Sequence, residues 1–186
     1  MEFDQSVARE IELDDALELV LSKAVEDGHV SDTAEEMLDC VDEAFVFDGP
    51  VRIGGDFELE YDAFHSAAVI FDGNLSVDGI LQDNGADDCV VIVLGNLDAA
   101  HMICTTNWLV TGRVRLAGAL VAWGTEDRQF EHDGGAEAAL LVEHGYWVDA
   151  KAKTRADDVS EGFQRGDGAF DFEAISEALK EGRSVV

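Results

Sequence analysis

The chain has 186 residues, which is long enough to bury one substantial hydrophobic core. Its 41 acidic residues against 12 Lys and Arg give a formal net charge of −29. Such an excess of negative charge repels nucleic acid and anionic membranes and excludes both as direct partners. It attracts a basic protein or a cation, and it also suits a high-salt environment.

The beginning of the chain and its cysteines predict where the protein is found. The first ten residues, MEFDQSVARE, are acidic where a signal peptide would be basic and apolar. No apolar run approaches the roughly 18 to 20 residues that a membrane span requires. The three cysteines, Cys40, Cys89 and Cys104, are far apart and form no CxxC pair, so we expect buried reduced thiols. Together these features predict a cytoplasmic protein.

Two acidic amphipathic helices are predicted near the start. Apolar residues recur at helical spacing between residues 8 and 25, and Gly28 can end that helix. Thr33 and Glu36 have the spacing of a capping box at the start of a second helix. We therefore predict that residues 1–45 form an acidic helical cap.

A zone of short strands follows, and a helix closes the chain. Residues 46–152 alternate short apolar runs with Gly, Asp and Asn, which is typical of strands and turns. Residues 153–186 read as a linker and a last helix, with Asp171 as its N-cap and Gly182 as its stop. We expect the three segments to fold as one cooperative unit.

The strand zone is periodic when its glycines are aligned. Each repeat has an apolar triplet, a Gly, a polar residue and then alternating apolar residues, and the aligned glycines are Gly55, Gly73, Gly95 and Gly112. Repeats of this length match one coil of a parallel β-helix, in which equivalent apolar side chains stack into interior ladders. The stretch 140–152 reads as a last, degenerate repeat.

The predicted fold is therefore mainly β. It is a single-stranded parallel β-helix of about five irregular coils, with the N-terminal helical pair and the C-terminal helix as caps over its open ends. An antiparallel β-sandwich or cupin-like barrel stays open as the alternative, because alternation along a strand does not distinguish parallel from antiparallel pairing.

The rungs GNLSVDG and GNLDAAH resemble those of bacterial polymer-forming, bactofilin-like β-helix proteins. Within that family, the chain is similar to a divergent soluble group with N-terminal helices, an insertion near the fourth rung and a C-terminal helix before a GRSV-like tail. The resemblance covers roughly residues 45–186 and implies a β-helix. Bactofilins usually have short disordered tails where this chain has acidic helices, and like charges resist end-to-end stacking.

Motifs of catalysis are scarce. The sequence has no GxSxG, P-loop, GxGxxG after a strand or HExxH. His101 occupies a place that is Gly79 or Gly118 in neighbouring rungs, which favours a turn histidine. An enzyme that uses the region of His132 and His144 is an alternative interpretation. We predict no catalytic, cofactor or metal residues.

The stretch after Ala122 reads as the longest loop and offers a partner site. Trp123 is its candidate for an exposed aromatic anchor, and acidic side chains around such a ring would steer a basic protein toward it. The predicted partner-binding residues are Trp123, Glu126, Asp127, Glu131, His132 and Asp133.

These features favour a non-enzymatic protein-binding module. The most concrete form is an acidic immunity-type inhibitor that neutralises a basic toxin or effector through complementary charge. A bactofilin-like structural scaffold is the alternative that the rungs suggest.

Overall fold

The structure is a computed structural model that describes residues 8–26, 28–59, 66–83, 89–165 and 170–186, without the side chains of residues 125–127. The described residues form three α-helices: α1 (Leu13–Lys23), α2 (His29–Leu38) and α3 (Phe172–Lys180). They also form thirteen strands: β1 (Arg9–Ile11), β2 (Glu43–Asp48), β3 (Val51–Ile53), β4 (Phe57–Leu59), β5 (Ala67–Asp72), β6 (Leu75–Asp83), β7 (Val90–Val93), β8 (Leu97–Cys104), β9 (Asn107–Val110), β10 (Val114–Leu116), β11 (Ala119–His132), β12 (Ala136–Val148) and β13 (Lys151–Ala156).

The strands wind into a β-solenoid of about four turns, and β12 and β13 add a last, less regular winding. Every strand pair except β1 with β2 is parallel. The prediction of a parallel β-helix with capping helices is confirmed, and the antiparallel sandwich is wrong. The helices lie on the outer sides of two faces and not over the open ends where they were expected. The described part of the chain has no helix with the length and apolar character that a membrane crossing demands.

Three faces make up the wall of the solenoid. Face 1 consists of β2, β5, β7, β9 and residues 128–132 of β11, with residues 146–148 of β12 last. Face 2 contains β3, β10 and the first residues of β6, β8, β12 and β13. Face 3 contains β4, residues 119–123 of β11 and the later parts of β6, β8, β12 and β13.

Face 1 is buried on both sides. Trp108 and Phe130 stack inside the solenoid with ring centroids 6.2 Å apart, as Phe47 and Phe71 do at 5.2 Å. On the outer side, α1 and α2 pack on a row of aliphatic residues that are in register from strand to strand, Val46, Ile70, Ile92 and Leu109. Burial on both sides explains why these strands are continuous apolar runs.

Face 3 is covered by the C-terminal helix. Ile175, Ala178 and Leu179 of α3 pack in one cluster with outward residues of this face, including Ile103, Val121 and Val142. The side chain of Asp171 accepts a hydrogen bond from the backbone N of Ala174 at 3.1 Å, and Gly182 follows the helix with φ +68°. The predicted N-cap and stop of this helix are confirmed.

Face 2 alternates buried and exposed residues. In β10, Val114 and Leu116 point inward while Arg115 is exposed, and the corresponding residues of β6, β8 and β12 follow the same pattern. A strand with one side in the core and one in solvent has this period of two. None of the described hydrophobic clusters covers the outer side of face 2.

The corner between faces 1 and 2 corrects the alignment of the repeats. A Cβ on Gly73, Gly95, Gly112 or Gly134 would lie within 3 Å of the backbone of the preceding coil. Gly55 does not belong to this series, because it adjoins Gly79 at the corner between faces 2 and 3. The same corner contains His101, as predicted: its Nδ1 accepts a hydrogen bond from the Ala119 backbone N at 3.0 Å.

The predicted last repeat is also displaced. Leu140 pairs with Ala119 on face 3, whereas the triplets before Gly73, Gly95 and Gly112 lie on face 1. The coil that follows β9 and β10 begins instead at residues 128–132, inside the stretch that was predicted to be a loop. The loop prediction is therefore wrong: this stretch is a strand with one irregularity between Trp123 and Arg128.

The N-terminal boundaries differ from prediction. Residues 9–11 pair with β2, so α1 begins at Leu13. Helix α2 begins at His29 with Gly28 as its N-cap, and the hydroxyl of Thr33 donates to the carbonyl of His29 inside the helix. The predicted capping box is thus wrong, and Gly28 starts a helix where it was expected to end one.

The cysteines are free thiols in two environments. Cys89 and Cys104 are buried in the solenoid, and Cys40 is exposed, contrary to expectation. Burial raises the pKa of the Cys89 thiol to about 12 and that of Cys104 well above its ordinary value. The two buried thiols are therefore protonated and unreactive at neutral pH.

Gly112→Ala should test the glycine corner. The new Cβ would lie 2.5 Å from the Gly95 carbonyl oxygen, and the backbone there cannot move without breaking the rung. We expect the free energy of unfolding in urea to fall by about 1–3 kcal/mol, the usual cost of overpacking. Gly54→Ala is the matched control, because its Cβ would meet nothing within 4 Å, and it should not destabilise the protein. Equal stability of the two variants would contradict the corner constraint.

Candidate functional site

The predicted partner-binding residues do not lie together. The side chains of Glu126 and Asp127 lie outside the part of the chain that the structure describes. Trp123 is half-buried on face 3, where its ring lies 6.1 Å from Phe170 and 6.0 Å from Phe172 between centroids. The expectation that Trp123 is an exposed anchor is therefore wrong, because this ring packs beneath the C-terminal segment.

Glu131, His132 and Asp133 lie at the other end of β11, on face 1 beside the N-terminal helices. The Asp133 carboxylate accepts hydrogen bonds from the backbone N of Val25 at 3.0 Å and of Val30 at 3.2 Å. Glu131 is 8% exposed and lies 3.8 Å from His29 at the start of α2; burial raises the pKa of Glu131. These two acids hold the helix ends against the solenoid.

His132 and His144 lie on different faces. His132 sits beside the backbone oxygen of Asp149, with its Nε2 at 2.5 Å. His144 is on face 3, with its ring 5.9 Å from Phe170 and its Nδ1 4.0 Å from Asp158. The described geometry gives no pair of histidines that could share one proton-transfer step.

The helical pair carries the most uniform charge of the described chain. Between residues 8 and 48 thirteen acidic residues are exposed: Glu10, Glu12, Asp14, Asp15, Glu18, Glu26, Asp32, Glu35, Glu36, Asp39, Asp42, Glu43 and Asp48. The two basic residues of this segment are already paired, Arg9 with Asp48 at 3.0 Å and Lys23 with Asp72 at 3.3 Å. We call these thirteen residues the acidic cap surface.

Exposed apolar side chains accompany the acidic cap surface. Leu21 and Val25, at the end of α1, are 47% and 55% exposed. Trp147 is 51% exposed and pairs in register with Gln129, two residues before the buried Glu131. The exposed aromatic residue that the sequence placed at Trp123 is therefore found at Trp147, one strand beyond the coil that α2 contacts.

Asp83 is a buried carboxylate that the sequence did not reveal. It is fully buried; its Oδ1 accepts from the backbone N and hydroxyl of Thr105 at 2.7 and 2.6 Å, and its Oδ2 accepts from the Trp108 indole at 2.6 Å. Burial raises its pKa in spite of these bonds. In the sequence Asp83 belongs to the polar stretch QDNGADD, which is typical of an outer loop. No pattern in the neighbouring residues therefore indicates that this carboxylate is buried.

The described residues contain no group of three or more His, Cys, Asp or Glu side chains arranged to hold a metal ion. No protein-family model, curated protein or solved structure matches this chain. The resemblance to bactofilin-like proteins therefore stays a prediction that rests on the rungs themselves.

Asp83→Asn should destabilise the solenoid in a pH-dependent way. An amide has one acceptor oxygen, so either Thr105 or Trp108 loses its acceptor, at a cost of about 1–3 kcal/mol. Since the folded state raises the pKa of Asp83, its proton stabilises the native protein below about pH 3.8, and that stabilisation is lost as pH rises through the folded pKa.

Urea unfolding, followed by tryptophan fluorescence at several pH values, measures this difference. The free energy of unfolding of Asp83→Asn should fall furthest below that of the parent protein at the lowest pH. This difference should become smaller as the pH rises. The exposed Asp157→Asn is the control and should change stability by less than about 0.5 kcal/mol. A deficit independent of pH would show that Asp83 does not titrate as described.

Proposed function

We propose that the protein is a non-enzymatic protein-binding module, most concretely an immunity-type inhibitor that neutralises a basic toxin or effector. The observation that carries this proposal is the acidic cap surface, whose thirteen exposed acids face only two basic residues, both already paired. Its negative potential is therefore available to a partner. A cationic partner would be attracted over a Debye length of about 8 Å at physiological salt.

Charge accelerates encounter, while desolvated apolar contacts supply much of the affinity. Leu21 lies on α1 together with Glu18, Val25 follows two residues after this helix ends, and Trp147 supplies an aromatic ring beyond α2. A basic partner with an apolar patch would bury these side chains while the carboxylates pair at the rim. The solenoid holds both helices rigidly, which lowers the ordering cost of binding.

A bactofilin-like scaffold is the second candidate, and the stacked parallel coils favour it. Such a role requires coils of different molecules to pair end to end. The last strand, β13, carries Lys151, Lys153 and Arg155, and charged edge strands resist pairing of this kind. The separation of His132 from His144 leaves the enzymatic alternative without a catalytic pair.

Charge reversal on the acidic cap surface tests the proposal. The full chain is used as bait in its native cells at low salt, and captured proteins are identified by mass spectrometry. We expect a basic protein whose binding weakens with salt and falls at least about tenfold for Asp14→Lys/Glu18→Lys/Glu35→Lys, because opposite charges drive the encounter. Trp147→Ala should mainly raise the dissociation rate.

Asp157→Lys/Glu161→Lys/Glu173→Lys is the matched control, because it changes net charge equally at exposed positions away from the cap. It should retain most of the binding. A partner that is toxic alone and harmless when co-expressed with this protein would support inhibition. Equal losses in both triple variants would show that total charge, and not this surface, governs binding.

A further inference from the structure

Face 2 bears an ordered row of charges on its uncovered outer side. One residue of each successive strand is in register with the next, in the order Arg52, Ser76, Asp98, Arg115, Glu137 and Lys151. Neighbouring strands are about 4.8 Å apart, so the row is about 24 Å long. We call it the face 2 charge row.

Face 2 is close to neutral, in contrast to the rest of the chain. Four basic residues line its shallow depressions, Arg52, Arg113, Arg115 and Lys151, and four acids lie among them, Asp78, Asp98, Glu137 and Asp149. The net charge of −29 is therefore carried elsewhere. Two copies of so acidic a protein repel each other least when they approach through this face.

We propose that face 2 binds a second copy of this chain, in an antiparallel two-fold dimer whose axis passes between β10 and β12. Such an axis reverses the order of the row. Arg115 then faces the partner's Glu137, and Glu137 faces the partner's Arg115. Asp98 similarly faces the partner's Lys151, and Lys151 faces the partner's Asp98. A two-fold interface repeats each of these pairs.

Charge complementarity selects this register. Displacing the axis by half a coil in either direction places Arg115 against the partner's Arg115 or Glu137 against the partner's Glu137, which are repulsive pairs. In the proposed register the four facing pairs all have opposite charge, and Arg52 and Ser76 lie beyond the paired part of the row. Arg52 is already paired with Asp78 at 3.2 Å, so it needs no charge partner in trans.

Arg115 is suited to a partner in trans. It is exposed, and it forms no ion pair or side-chain hydrogen bond with any residue in the described ranges. Small residues flank the row, including Ala100 and Ala117, so a flat partner can approach closely. The face is small for a protein interface, since stable complexes usually bury about 1,200–2,000 Å² in total, and the dimer should therefore be concentration-dependent.

Light scattering and sedimentation equilibrium of the full chain test the dimer, from micromolar to millimolar concentration. The parent protein should pass from its chain mass of 20.1 kDa to twice that mass. Raising salt from about 10 to 150 mM should strengthen association, because it screens the long-range repulsion between two acidic bodies. This is opposite to the salt response of a complex with a basic partner, so the dimer and the proposed function can fail separately.

Charge reversals identify the interface. Glu137→Arg and Arg115→Glu should each weaken dimerisation at least about tenfold, because each creates two like-charge contacts. A mixture of the two variants should recover a heterodimer, since the arginine introduced in one chain would then face the glutamate introduced in the other. Recovery on mixing also shows that both variants are folded.

Glu36→Arg and Lys153→Glu are the matched controls for net charge; both positions are exposed and lie off the face 2 charge row. They should dimerise like the parent protein. The proposal is overturned if the parent protein keeps the mass of one chain at all concentrations, if either single reversal leaves the dimer intact, or if the mixture stays monomeric.

Discussion

The close approach of successive coils at the corner between faces 1 and 2 is the constraint on which the rest of the structure depends. At Gly73, Gly95, Gly112 and Gly134 the backbone of one coil lies where a side chain of the next would project. This contact fixes the spacing and the register of the coils. Because register is fixed, equivalent residues of each coil stand in straight rows, and each row acquires one chemical character.

The chemical character of its outer row determines whether each face of the solenoid is covered or exposed to solvent. The outer row of face 1 is aliphatic and must be covered, and α1 and α2 cover it with their apolar sides while presenting acids to solvent. The outer side of face 3 is covered in the same way by α3. Face 2 has a polar outer row that needs no cover. One fold therefore presents a strongly acidic surface and a neutral, flat surface on different sides.

Polar side chains supplement the backbone at the corners. Asn74 accepts a hydrogen bond from the backbone N of Asn96 at 2.8 Å, and Asn96 accepts from the backbone N of Arg113 at 2.9 Å. Asp83 performs the same task inside the solenoid, and Asp133 ties the ends of α1 and α2 to it. Acids that look like a binding loop in the sequence are thus partly structural, whereas most acids of the acidic cap surface have no basic partner within the described residues.

The sequence by itself determined the class of fold, the helical caps, the corner role of His101 and the ends of α3, because period-two alternation, apolar runs and cap residues record local burial. It could not decide that Gly55 belongs to a second corner, that β11 continues through the predicted loop, or that Trp123 is covered and Trp147 exposed. Those facts depend on which strand stacks on which, and hence on contacts between residues tens of positions apart. Only the tertiary structure brings such residues together, so only it separates the acids that hold the fold from those left free to bind.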